Sequence, residues 1–143
     1  IRFIKIVILA NNAITKTEWI EESVKNLINN PDLSASCPVM LEQDHHPYRS
    51  KCLREDGCLG TWFDFKGKQV STNRQDLPMN FVFCHNFWTL NLKNSLYSEV
   101  PGQQPWMFMG PNVKPVVVKE SFDVHDMDDI IRTEKWLTAE GIK

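Results

Sequence analysis

No apolar run in this sequence approaches the roughly 20 residues that a membrane helix requires. The first residues also lack the charged, apolar and small-residue pattern of a secretory signal. A cytoplasmic protein is therefore expected. Neither sign of charge dominates: 16 Lys and Arg stand against 18 Asp and Glu, for a net charge of −2. Such a balance offers no electrostatic reason to expect nucleic acid or an anionic membrane as partner, and points to a small soluble substrate. Cysteine is scarce. The four thiols (Cys37, Cys52, Cys58, Cys84) are scattered, which excludes a disulfide framework, and Cys52 and Cys58 stand at no common zinc spacing. Internal repeats and low-complexity tracts are absent as well.

What is present is an ordinary globular composition, 42% apolar and 24% charged over 143 residues, enough for one hydrophobic core. A single domain spanning residues 1–143 is expected. The chain opens at Ile1 inside an apolar run, as a fragment does. Phe3 to Leu9 is nearly continuous and rich in β-branched residues, predicting a strand buried on both faces of a parallel sheet. Thr15-Lys16-Thr17-Glu18 has the spacing of a capping box, with Ile14 as staple. Ile20, Val24, Leu27 and Ile28 follow at helical spacing. Pro31-Asp32 ends that helix, and Ser36 to Met40 reads as the next strand of a βαβ unit. The fold class is therefore α/β.

From Asp44 to Pro78 the texture changes. Gly57, Gly60 and Gly67 punctuate short segments, predicting a hairpin arm inserted over residues 44–78. Phe81 to Leu92 then reads as an aromatic strand, residues 101–111 as a loop, and residues 115–119 as a further strand. The tail from Asp126 carries Met127, Ile130, Ile131 and Leu137 on roughly one helical face, with acids in its first turn.

Three segments concentrate chemistry that a plain core would not need. Asp44 to Lys51 sets His45 and His46 beside two cations. Arg49 there is able to grip a carboxylate bidentately, and Lys51 adds a point charge; the bland reading is a polar turn. Arg74-Gln75-Asp76-Leu77-Pro78 is either a turn that caps a strand or a sugar-recognition element. Beyond it Cys84-His85-Asn86 interrupts the aromatic run with polar groups. These either bond to neighbouring backbone or line a pocket, so His85 and Asn86 are candidate substrate contacts. Ser121 to Asp129 ends the Val-rich strand in an acidic helix start. Within it the i, i+2 pair Asp123 and His125 points to one side of an extended segment, as a metal site at a strand's carboxyl edge requires.

Taken in order, these segments resemble the acylneuraminate cytidylyltransferases, the CMP-sialic acid synthetases. Ser36-Cys37-Pro38-Val39-Met40 through His45-His46-Pro47 is similar to that family's strand and His-His-Pro loop. Arg74-Gln75-Asp76-Leu77-Pro78 is similar to its Arg-Gln-(Asp or Gln)-Leu-Pro element, and Ser121-Phe122-Asp123-Val124-His125 to its Ser-x-Asp-Ile-Asp. The resemblance covers essentially the whole chain. It implies a Rossmann-like nucleotidyltransferase layer with a dimerisation arm, a homodimer, and CTP and a sialic-acid-like sugar acid as substrates. It also implies Mg²⁺ as cofactor, held by Asp123, the catalytic aspartate, and by His125. Arg49, Lys51, Arg74, Gln75, His85 and Asn86 fall to the substrate.

The departures are specific. The family's Gly- and Arg-rich nucleotide loop has no counterpart here, so the chain is expected to be N-terminally truncated and inactive alone as a synthetase. Ala10-Asn11-Asn12-Ala13-Ile14 stands where the family has Gln-Pro-Thr-Ser-Pro, with Asn11 and Asn12 available in place of the Gln. Cys84-His85-Asn86 replaces Asn-Gly-Ala, and His125 replaces the second aspartate. The alternative from another class is a non-catalytic sugar-binding or oligomerisation module on the same fold.

Overall fold

The computed structural model describes residues 3–142. In chain order its elements are β1 (Ile4–Ile8), α1 (Thr17–Asn29), β2 (Ala35–Leu41), β3 (Lys51–Leu53), β4 (Leu59–Thr61), β5 (Phe81–Phe83), β6 (Phe87–Asn91), β7 (Val113–Val117) and α2 (Met127–Ala139), with short 3₁₀ turns at Arg74–Asp76 and Met107–Met109. The chain forms two compact units, Ile1–Met40 with Phe83–Lys143, and Leu41–Val82.

The larger unit is a mixed sheet. β1 pairs antiparallel with β6 from Ile4↔Asn91 to Ile8↔Phe87, and β6 pairs antiparallel with β2 through Ala35↔Leu90 and Ser36↔Thr89. β7 runs parallel to β2 from Ala35↔Val113 to Val39↔Val117. β2 is flanked on both sides and is buried from Ala35 to Val39, as its small and β-branched residues permit. The core gathers Ala35, Cys37, Leu90 and Met109, with a second cluster of Cys84, Val116 and Val118. Gly110 (φ +76°) closes the loop before β7, where a Cβ would lie 2.4 Å from the Asn94 carbonyl oxygen.

Several expectations are corrected. β1 forms where predicted but is not buried on both faces: it hydrogen-bonds to β6 alone among the described strands, and Ile6 and Ile8 are exposed. β1 and β2 share a direction without being neighbours, because β6 runs between them. The predicted strand from Phe81 to Leu92 divides into β5 and β6, since the Asn86 side chain turns to the 12–14 loop while the Cys84 amide donates to Pro38.

α1 starts at Thr17 with Lys16 as N-cap and no side-chain cap bond, so the Thr15–Glu18 box does not form. Its most buried positions are Ser23 and Leu27, and Ile28 is exposed. A hydroxyl bond between Ser23 and Thr89 (2.7 Å) and one from Asn26 to Ser36 (3.2 Å) tie α1 to the sheet. In α2 the buried positions are Asp129 and Thr133, and Met127, Ile130 and Ile131 are exposed. The capping box belongs to this helix. The Asp129 amide donates to the Asp126 side chain, and the Asp126 amide donates to the Asp129 carboxylate.

In the smaller unit β3 and β4 pair as a hairpin from Lys51↔Thr61 to Leu53↔Leu59, with Gly57 (φ +79°) in the connecting turn. Tyr48 packs edge-on against His46, Phe63 and Phe65, with ring centroids 4.9 to 5.4 Å apart.

Candidate functional site

β1 and β7 point the same way, and the loops that leave their carboxyl ends pair with each other. The Ala13 amide donates to the Phe122 carbonyl (3.0 Å), the Val124 amide donates to the Asn11 carbonyl (2.9 Å), and Asn12 bridges antiparallel to Asp123. Open α/β sheets bind ligands at this end of their strands. The pairing gathers Asn11, Asn12, Ser121, Asp123 and His125 in one place.

Asp123 is the anionic centre. Its Oδ1 accepts from Asn11 Nδ2 at 2.5 Å, and its Oδ2 lies 3.0 Å from His125 Nε2. The Asp123 side chain is 37% exposed and that of His125 74%, so the pair remains open to solvent. Local chemistry holds His125 in place: its backbone N–H donates to Asp129 Oδ2 (3.0 Å), and Asp129 also pairs with Arg132. The His125 N–H, followed by Arg132, holds the Asp129 carboxyl below the usual carboxylate range, against the opposing effect of burial. One buried acid thus caps α2 and anchors the residue before it.

Behind Asp123 lies a buried amide node. Asn86, with no exposed surface, donates through Nδ2 to Asn12 Oδ1 (2.7 Å) and to the Ile14 carbonyl (2.6 Å). Ser121 Oγ donates to Asn12 Oδ1 (3.0 Å) or to Asn86 Oδ1 (3.1 Å). Asn86 therefore orients the Asn12 and Ser121 side chains on either side of the 12↔123 bridge. His85 turns to an aromatic nest instead, 5.1 Å from Trp106 and 6.0 Å from Trp88 by ring centroid.

The donor set bears on the metal that the resemblance implies. Among the described residues, no three His, Cys, Asp or Glu side chains stand together as a metal cluster. Asp123, the Asn11 amide and His125 provide one carboxylate, one amide and one imidazole. Mg²⁺ commonly takes one or two carboxylates and completes its shell with water and phosphate oxygens, so Asp123 fits it. The imidazole of His125 suits a softer divalent ion better.

The remaining predicted residues lie in the unit Leu41–Val82. There Glu42 accepts from the Asp44 and His45 amides (2.8 and 2.9 Å), and the His45 N–H, with burial opposing, holds its carboxyl below the ordinary range. Arg74 pairs with Asp44, and the Arg74 carbonyl lies 3.4 Å from Gln43 Nε2. His46 is buried and structural: its Nδ1 accepts from the Tyr48 amide and its Nε2 donates to the Pro78 carbonyl at 3.1 Å. Arg49, Lys51 and Gln75 are exposed.

No family model matches this sequence, and no curated protein matches it.

A separate recess, which none of the sequence motifs signals, is a cavity of about 390 Å³ at the end of β7, walled in part by Trp19 and Trp136. The Thr15–Glu18 spacing points Lys16 to a helix start, and Trp136 lies outside the apolar face of Met127, Ile130, Ile131 and Leu137. The available signal was a tryptophan near the start of one amphipathic helix and another near the end of the second.

Proposed function

We propose that this chain belongs to a cytidylyltransferase of the CMP-sugar synthetase type, which transfers CMP from CTP to a sialic-acid-like nonulosonic acid with release of pyrophosphate, and that the chain is inactive as a synthetase by itself. The observation that carries the reading is the Asn12↔Asp123 bridge. It joins the segment that replaces the family's Gln-Pro-Thr-Ser-Pro to the segment that resembles its metal motif, at the carboxyl ends of two strands of like direction. The α/β architecture with a mixed sheet is compatible with the Rossmann-like layer that the reading implies.

In this reading a hydroxyl oxygen of the sugar acid attacks the α-phosphorus of CTP. The bond from that phosphorus to the pyrophosphate oxygen breaks, and the hydroxyl proton is released. Asp123, whose two carboxylate oxygens Asn11 and His125 fix in place, would hold the divalent ion. When bound, Mg²⁺ neutralises phosphate charge. Within residues 41–82, Arg49, Lys51, Arg74 and Gln75 supply the cationic and amide donors suited to a carboxylate and hydroxyls, and Arg74 exchanges Asp44 for the substrate.

Calorimetric titration in Mg²⁺ with N-acetylneuraminate, a related eight-carbon acid, CMP and CTP tests this reading. Saturable binding of a sugar acid that disappears in Arg74→Ala, with Mg²⁺ dependence that disappears in Asp123→Asn, is the expected outcome. Absence of binding to every one of the four ligands would remove the reading.

A further inference from the structure

The recess at the end of β7 is distinct from the Asp123 cluster and has its own chemical character. Its wall includes Trp19 and Trp136, and four charged residues, Lys16, Lys119, Glu120 and Glu140, line it as well. A volume of about 390 Å³ is on the scale of a small-molecule site.

The Lys16 ammonium lies 5.7 Å from the Trp19 ring centroid and 5.2 Å from that of Trp136, within cation–π range of both. This holds the cation against two aromatic faces rather than against an acid. Neither lysine and neither glutamate of the recess forms an ion pair among the described residues. Charges of both signs thus share one concave surface and leave each other unpaired. The helix ends sharpen the division. α1 begins at Thr17 with Lys16 as an N-cap that makes no side-chain bond, which sets Lys16 at the positive end of that helix, whereas α2 ends at Ala139 with Glu140 as C-cap and no basic residue in its last turn.

A carboxylate ligand alone would answer Lys16 and Lys119 and leave the glutamates unmatched. An ammonium alone would compete with Lys16 for the indole faces. We propose that this recess binds a small zwitterion with an aromatic body. Its carboxylate meets Lys16 and Lys119 at the positive end of α1, its ammonium meets Glu120 and Glu140, and its ring packs on Trp19 and Trp136. The charge-assisted bonds fix orientation and the indoles supply apolar area.

The test is an NMR titration of the full chain labelled at its tryptophan indoles, with the Trp19 and Trp136 resonances assigned through Trp→Phe variants. The probes are L-phenylalanine, phenethylamine and 3-phenylpropanoate, which share the ring and differ in charge. L-Phenylalanine is expected to shift the Trp19 and Trp136 resonances saturably, leave those of Trp62, Trp88 and Trp106 in place, and bind about tenfold more tightly than either analogue. Lys119 and Glu140 are exposed, so their variants keep the fold. Lys119→Met should weaken L-phenylalanine and 3-phenylpropanoate but not phenethylamine, and Glu140→Gln should weaken L-phenylalanine and phenethylamine but not 3-phenylpropanoate. Unmoved indoles with L-phenylalanine, or equal binding of phenethylamine, which would mark a plain ammonium cage, overturns the proposal.

Discussion

The side chain of Asn86, wholly buried, donates to Asn12 Oδ1 at 2.7 Å, and this bond links the strand region before β6 to the loop that follows β1. The same amide donates to the Ile14 carbonyl and lies within reach of the Ser121 hydroxyl. Every site residue of the larger unit stands on, or beside, a segment that this amide holds.

Asn86→Ala should therefore cost about 2–3 kcal/mol, because a buried acceptor left without its donor loses its desolvation compensation. Asn86→Asp keeps the shape but removes both donor bonds, and should cost no less. Urea denaturation checks both. A midpoint unchanged from the wild type in either variant would show that the node carries no stability.

Asp129 makes acid stability a local matter. Its folded pKa is lowered, first by the His125 N–H and then by Arg132, so its contribution is complete above the ordinary aspartate value of about 3.9 and is lost as pH falls through the lower folded value. Asp129→Asn should be less stable at pH 7 and show a shallower loss on acidification. Urea midpoints measured from pH 7 down to acid would expose an error if the two curves ran parallel.

The α1–sheet interface invites a double-mutant cycle. Ser23 and Thr89 are both fully buried and bond to each other at 2.7 Å. Ser23→Ala alone and Thr89→Val alone should each cost about 1–3 kcal/mol, and the double variant clearly less than their sum, since it leaves neither hydroxyl stranded. Strict additivity would mean that the two hydroxyls do not depend on one another.

Thiol reactivity should separate the cysteines. Burial, with Cys84 nearby, pushes Cys37 up to about 12, and burial pushes Cys84 up to about 11, whereas Cys58 is exposed. A thiolate-selective disulfide reagent at pH 8 should modify Cys58 promptly and reach Cys37 and Cys84 only on unfolding, because the thiolate is the nucleophile. Prompt modification of Cys37 in the native protein would contradict its burial.

Local order was legible where backbone preference and side-chain pattern agree. The β-branched runs around β1 and β7 and the acidic start of α2 are readable because they depend on neighbours a few residues apart. The meeting of Asp123 and His125 was legible for the same reason, as a short-range i, i+2 relationship. Which helix would carry a capping box was not: the Thr15–Glu18 spacing points to α1, but the box forms between Asp126 and Asp129 of α2.

The sequence by itself determined the α/β class, the positions of most elements and the local chemistry of the 121–129 segment, all consequences of propensity and short-range spacing. Tertiary structure decided the rest. A strand's hydrophobicity does not say whether it lies at the centre or the edge of a sheet, so the exposure of β1 follows only from β6 pairing with it. Likewise, nothing in the neighbourhood of Asn86 names Asn12 as its partner, and nothing near Lys16 names Trp136, which lies near the other end of the chain. The Asn pair forms because buried polar groups must find donors and acceptors wherever the packed sheet brings them, and the Lys16–Trp136 pair because packing sets a cation against an aromatic face.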